Sequence, residues 1–143
     1  MRVFTIGYEQ TVVAELIAAL HKAGVERVID IRAVAASRRP GFSKTALAGA
    51  LQEAGIAYEH FRALGTPKEG RDAAKRGDQA TLARVYAGQL ELPEAQAAAA
   101  LLLDRAAAQP TALLCYERAP EDCHRSMLLA AIAPEAQVID LFA

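Results

Sequence analysis

Apolar and polar positions along the chain alternate between two periods, and the switches between them mark the elements. Val3 to Ile6 is a short apolar run closed by the turn-like "GYEQ", which predicts a first strand. Val12, Leu16, Ile17 and Leu20 then recur at helical spacing, and Gly24 predicts the stop, where a residue without a Cβ takes a left-handed conformation. "RVIDIR" (27–32) is a β-branched second strand. Ser43 is a predicted N-cap for a helix carrying Leu47 and Leu51, which Gly55 ends, and "IAYEHF" (56–61) is a third strand. Residues 62–77 hold three glycines and a proline and predict a polar excursion. Thr81 to Leu90 and Pro93 to Ala108 are predicted helices. "TALLCYE" (111–117) is a fourth strand, whose unbroken apolar run predicts burial on both faces. A helix over 122–132 and a last strand, "QVIDLF" (137–142), complete the pattern.

Strands alternating with helices predict a three-layer α/β fold with a mostly parallel central sheet of about five strands. Neither an internal repeat nor a linker is visible, so residues 1–143 are expected to form one domain, with the excursion covering one end of the sheet. In parallel βαβ units all strand C-termini share one edge, where ligands of open α/β sheets bind. The residues following the strands are rich in chemistry. They are Tyr8 and Glu9; Asp30, Arg32, Ser37, Arg38 and Arg39; His60 and Arg62; and Cys115, Glu117, Cys123, His124 and Arg125. Such groups are depleted at the opposite edge. Period-two alternation also places Asp30 beside Arg32, either paired with it or sharing a ligand; the plain alternative is a carboxylate tethering loop amides.

Charge adds an asymmetry. The net charge is −1, but residues 32–76 carry nine basic against four acidic side chains, leaving seven against thirteen elsewhere. That split favours an anionic ligand near the middle segment, although a solvated charged face accounts for it equally well. Apolar residues are 53% and charged residues 23%, ordinary for a globular chain. The longest apolar run, Ala97 to Leu103, is too short for a membrane span. Two cysteines without a signal peptide point to a cytoplasmic, reducing setting with free thiols rather than a disulfide framework.

"CYERAPEDCHRS" (115–126) holds both cysteines and one of three histidines. A phosphate-loop thiol enzyme would place Arg six residues after the cysteine, where this chain has Glu121 after Cys115 and Leu129 after Cys123. Zinc could take Cys115, Cys123, His124 and Glu117, but no Cys-x-x-Cys pair exists, and adjacent Cys123 and His124 diverge by about 100° on a helix. No metal ligands are therefore assigned. The favoured geometry caps the helix with Asp122 and puts Cys123 in its first turn, where unpaired N–H groups attract anions and lower a thiol's pKa. Cys115, inside an apolar strand, reads as a packing residue; for Cys123, function and packing both stay open. No G-x-G-x-x-G, Walker or G-x-S-x-G pattern occurs, so no cofactor is indicated.

"TIGYE", "DIRAVAASRRPGFSK", "GIAYEHFRALGTPKEGR" and "LLCYERAPEDCHRS" follow one another in the order and spacing of the prokaryotic family called domain of unknown function 488, which the chain resembles over roughly residues 4–132. The resemblance implies a small α/β domain whose recurrent residues fall here on Asp30, Arg32, Ser37, Arg38, Gly65, Glu117, Cys123, His124 and Arg125. Ala35 stands where relatives often carry proline. The family name assigns no activity.

The leading expectation is a protein that binds a phosphate-bearing, nucleotide-like small molecule at the strand C-terminal edge. Arg32, Ser37, Arg38, Arg125, Tyr8 and Glu9 would line the site. Asp30, Glu117 and His124 would handle protons and Cys123 could act as a nucleophile, with hydrolase or transferase chemistry the natural class. A nucleic-acid-binding accessory domain using segment 32–76 is the first alternative. A metal-binding module built on the Cys/His stretch is the second.

Overall fold

A computed structural model describes all 143 residues. Five strands form one sheet: β1 (Arg2–Gly7), β2 (Arg27–Asp30), β3 (Ala57–His60), β4 (Thr111–Cys115) and β5 (Gln137–Leu141). Their spatial order is β3-β2-β4-β1-β5, and every neighbouring pair is parallel. Six helices connect them: α1 (Val13–Lys22), α2 (Lys44–Glu53), α3 (Lys68–Lys75), α4 (Gln79–Leu90), α5 (Pro93–Ala108) and α6 (His124–Ile132). This is the expected three-layer α/β fold, with the sheet wholly parallel. No helix is long and apolar enough to cross a membrane.

Alternation along the strands divides the core in two. Phe4, Ile6, Val28, Ala112 and Leu114 pack with Leu16 and Leu20 of α1 and Leu47 and Leu51 of α2. Val3, Ile29, Leu113 and Cys115 face the other way, toward Tyr86 of α4, Leu102 of α5 and Leu128 of α6. Every residue of β4 is buried, as its unbroken apolar run predicts, because β4 lies at the centre of the sheet with helices on both sides.

The winding reverses at β4. From β1 the chain moves outward through β2 to β3 over one face, returns over the other face to insert β4 between β2 and β1, then adds β5. The chain therefore leaves β4 toward the face opposite to that taken after β1 and β2. Adjacent strands whose connections diverge open a crevice between their C-terminal ends, which is where this topology places a ligand.

The excursion is more ordered than its composition predicts. It contains a 3₁₀ turn at Arg62–Leu64 and the helix α3. Lys68 pairs with Asp72 one turn on (3.0 Å), while Glu69 in the first turn and Lys75 in the last match the helix dipole. The misleading signal is Gly70, which reads as a breaker; here a Cβ would come within 2.4 Å of Thr66 Cγ2, so packing requires the glycine. From α4, Tyr86 donates its hydroxyl hydrogen to Leu64 O (2.7 Å) and Gln89 donates to Ala63 O (2.8 Å), fastening the segment over the sheet edge.

Two local expectations are corrected. Asp122 ends a 3₁₀ turn (Pro120–Asp122) and does not cap α6; Cys123 is the N-cap, its Sγ accepting the Arg125 N–H at 3.5 Å. The sulfurs of Cys115 and Cys123 meet across eight positions, close enough to form a disulfide, where separate free thiols were expected. Burial brings this about: Cys115 closes central β4, Cys123 opens the helix packed beside it, and both point into the same core cluster.

Candidate functional site

A cavity of about 670 Å³ opens at the C-terminal ends of β1, β2 and β4. Tyr8 and Glu9 wall it after β1, Arg32 and Val34 after β2, and Cys115 to Glu117 after β4, while Asp122 and His124 come from the entry to α6. The far wall is the excursion, through Thr66, Arg71 and Lys75, with Gln79 opening α4. Two close approaches hold these walls together. A Cβ on Gly7 would lie 1.8 Å from Glu117 O, and one on Gly65 would lie 2.2 Å from Ala33 N. Only glycine lets the β1 end meet the β4 loop, or the excursion meet the β2 loop, at those distances.

Asp30 and Arg32 do project together, and they pair. Arg32 Nη2 lies 2.6 Å from Asp30 Oδ2, and Arg32 Nε and its backbone N–H also donate to this carboxylate. Tyr58 donates its hydroxyl hydrogen to the same group at 2.6 Å. Asp30 is fully buried and does not reach the cavity, whereas Arg32 does. Arg32 Nη1 donates to Tyr8 Oη (3.2 Å) and Phe42 O (2.7 Å), and Tyr8 stacks on Phe42 with ring centroids 4.5 Å apart. The pair thus fixes the Arg32 head and, through it, the Tyr8 ring at the rim.

His124 is the first residue of α6, and its Nε2–H donates to Ile31 O at 2.8 Å. Burial drives its pKa down to about 4, so the ring is neutral near pH 7 with Nδ1 free of a proton, 3.7 Å from Cys123 Sγ. Glu117 is half-buried, and desolvation raises its pKa above the ordinary carboxylate value. Glu9 accepts the Arg118 N–H at 3.0 Å.

Three expected ligand contacts lie elsewhere. Arg125 is buried behind the β4 loop, with Nη1 donating to Glu117 O (2.6 Å) and to Cys115 Sγ (2.7 Å) and Nη2 to Arg118 O (3.0 Å). Ser37 is tied into its own loop, donating its N–H to Ser43 Oγ (3.1 Å) and accepting the Arg39 N–H. Arg38 is exposed and outside the cavity wall. His60 donates to Arg32 O at 2.6 Å, bracing the β2 end.

Sequence reasoning missed Thr66, Arg71, Lys75 and Gln79, all carried by the excursion and its junction with α4. The charge excess of segment 32–76 was the available signal, but nothing in a linear pattern tells which cations turn inward. Thr66 is the sharpest omission. It is 4% exposed and lines the cavity, and its Oγ1 is buried without a hydrogen-bond partner.

Cys115, Cys123 and Glu117 also bring three metal-ligand atoms within 4.8 Å of one another. The Arg125 guanidinium already occupies the neighbourhood of Cys115 Sγ, so a metal ion would meet a fixed positive charge there.

No curated protein and no solved structure matches the chain. A family model does, over residues 12–132, a span that takes in α1 through α6 and all of the cavity wall except Tyr8 and Glu9. By that match the chain belongs to the family described as Domain of unknown function DUF488.

Proposed function

We propose that the protein binds a small phosphate-bearing, nucleotide-like molecule in the cavity at the sheet's C-terminal edge and acts on it by hydrolysis or group transfer. The carrying observation is the division of charge around that cavity. Arg32, Arg71 and Lys75 come from the β2 end and α3, whereas Glu9, Glu117 and Asp122 come from the β1 and β4 ends. A ligand with a phosphate at one end and sugar hydroxyls at the other matches both walls, since guanidinium forks suit phosphate oxygens and carboxylates accept hydroxyl hydrogens. The unpartnered Thr66 hydroxyl adds a donor beside Arg71, whose own Nη1 is anchored on Thr66 O at 2.9 Å.

Glu117 is the group suited to carry a proton, because a carboxyl raised by burial exchanges protons nearer to neutral pH. Asp30 serves instead to hold Arg32. Lys68 and Arg76, two outward cations of the excursion, are paired with Asp72 and Asp78, which favours a small ligand over nucleic acid, while Arg62 is exposed outside any ion pair.

Calorimetric titration with a nucleoside, its monophosphate and its diphosphate tests this reading. The phosphorylated ligands are expected to bind at least about tenfold more tightly than the nucleoside, and Arg71→Ala with Lys75→Ala to remove that preference, corresponding to about 1.4 kcal/mol or more. Equal affinity for all three, or an unchanged preference in the double variant, would overturn it.

A further inference from the structure

Arg125 is the largest side chain in the chain to be fully buried, and it lacks an ion-pair partner. Asp140, Glu117 and Glu121 act on it only at longer range. Its Nε is buried without a hydrogen bond, and its Nη1 points at Cys115 Sγ from 2.7 Å. A guanidinium does not deprotonate in a protein, and a buried charge without a counter-charge is costly. The sulfur it touches is neutral while bonded to Cys123 and becomes the missing counter-charge once that bond is reduced.

The second sulfur is similarly provided for. His124 spends Nε2–H on Ile31 O, which leaves Nδ1 as a bare acceptor 3.7 Å from Cys123 Sγ. A disulfide sulfur has no hydrogen to offer it, whereas a thiol has. The Arg125 N–H also points at this sulfur, from 3.5 Å. The surroundings therefore match a thiolate at Cys115 and a thiol at Cys123 better than they match the bonded pair.

We propose that Cys115, which lines the cavity, and Cys123, beside it in the same core cluster, are a reversible redox pair, with Cys115 the attacking thiolate, Cys123 the resolving thiol and hydrogen peroxide the oxidant. Cys115 Sγ attacks one peroxide oxygen; the S–O bond forms, the O–O bond breaks, and the departing hydroxide takes a proton from solvent to become water. Cys123 gives its proton to His124 Nδ1 and attacks the Cys115 sulfenic sulfur. The S–S bond forms, the S–O bond breaks, and the second hydroxide collects that proton. Two thiols and one peroxide thus become a disulfide and two waters, and a dithiol reductant restores the thiols. Of the acidic groups, Glu9, Glu117 and Asp122 line the same cavity as Cys115, and Asp140 and Glu121 act on Arg125 at longer range. Glu117 lies within 4.8 Å of both sulfurs, and burial raises its pKa above the ordinary carboxylate value.

The test reduces the full chain with dithiothreitol, removes the reductant, adds hydrogen peroxide and counts alkylatable thiols by mass spectrometry. The wild type is expected to lose both thiols together and to regain them on renewed reduction. Cys123→Ser is expected to accumulate a single added oxygen on Cys115, with a rate that changes less than about threefold between pH 6 and 8, where an ordinary thiol would speed up by nearly 100-fold. Cys115→Ser is expected to keep Cys123 as a thiol. Two thiols that survive peroxide in the wild type, or oxygen arriving on Cys123 instead of Cys115, would overturn the proposal. Should either serine variant misfold, the wild-type thiol count still decides it.

Discussion

Asp30 shows how a chemistry-bearing residue can serve a site without entering it. Its carboxylate takes hydrogen bonds from Arg32 and from Tyr58, and it lies under the sheet edge with no exposure. Asp30→Ala leaves the Arg32 guanidinium buried and unpaired, and is expected to cost about 3–5 kcal/mol in urea denaturation. Tyr58→Phe removes one of several hydrogen bonds and is expected to cost only about 1 kcal/mol. Gly65 serves the site sterically, by letting its loop close on Ala33. Gly65→Ala would force its loop away from Ala33, and a loss of about 1–3 kcal/mol is expected together with weaker ligand binding, because Thr66 moves with it. A Gly65→Ala protein with unchanged stability would show that the two loops are not held at this distance.

At the scale of the element, α6 sets a pH dependence. His124 at its start is buried and neutral, with a pKa lowered to about 4. The unfolded chain binds this proton near the ordinary histidine value while the folded chain does not. Stability from this group is therefore complete above about pH 6.5 and is lost as pH falls toward 4, by about 3 kcal/mol across that window. Glu117 acts in the opposite sense, since burial raises its pKa, and stability is lost as pH rises through its folded value. The histidine effect is isolated by the difference between wild type and His124→Asn in denaturation midpoints from pH 4 to 7, and the variant is expected to show the flatter profile. Parallel profiles would mean that the ring titrates normally in the folded protein. The helix α3 turns a polar excursion into a wall that delivers Arg71 and Lys75.

For the whole molecule, the strand order β3-β2-β4-β1-β5 fixes where stability lies. The core strands β4 and β1 are flanked on both sides and buried, whereas β5 is a lateral strand with an alternately exposed and half-buried surface. Hydrogen exchange is expected to be slowest at Ala112 to Leu114 and Phe4 to Ile6, and faster at Val138 and Ile139 by at least about tenfold. Comparable protection in β5 would point to a contact across that edge which this fold does not contain. The sequence by itself determined the strand-helix alternation, the burial of β4 and the gathering of polar groups at one edge, because side-chain periodicity and turn residues are local properties. The pairing of Asp30 with Arg32 was also legible, although β2 ends at Asp30 and Arg32 folds back on the carboxylate from the loop, its backbone N–H and its guanidinium both donating to it. Which of those polar groups line the cavity was settled by the tertiary packing alone. Arg125 turns inward to hold the β4 loop, Ser37 closes its own loop, and Thr66 and Arg71 arrive from a segment whose glycines disguised a helix. The cysteine pairing was decided at the same level, because sulfurs eight positions apart meet only when β4 and α6 pack into one core. Such choices depend on which faces of distant elements are pressed together, and a linear pattern does not carry that information.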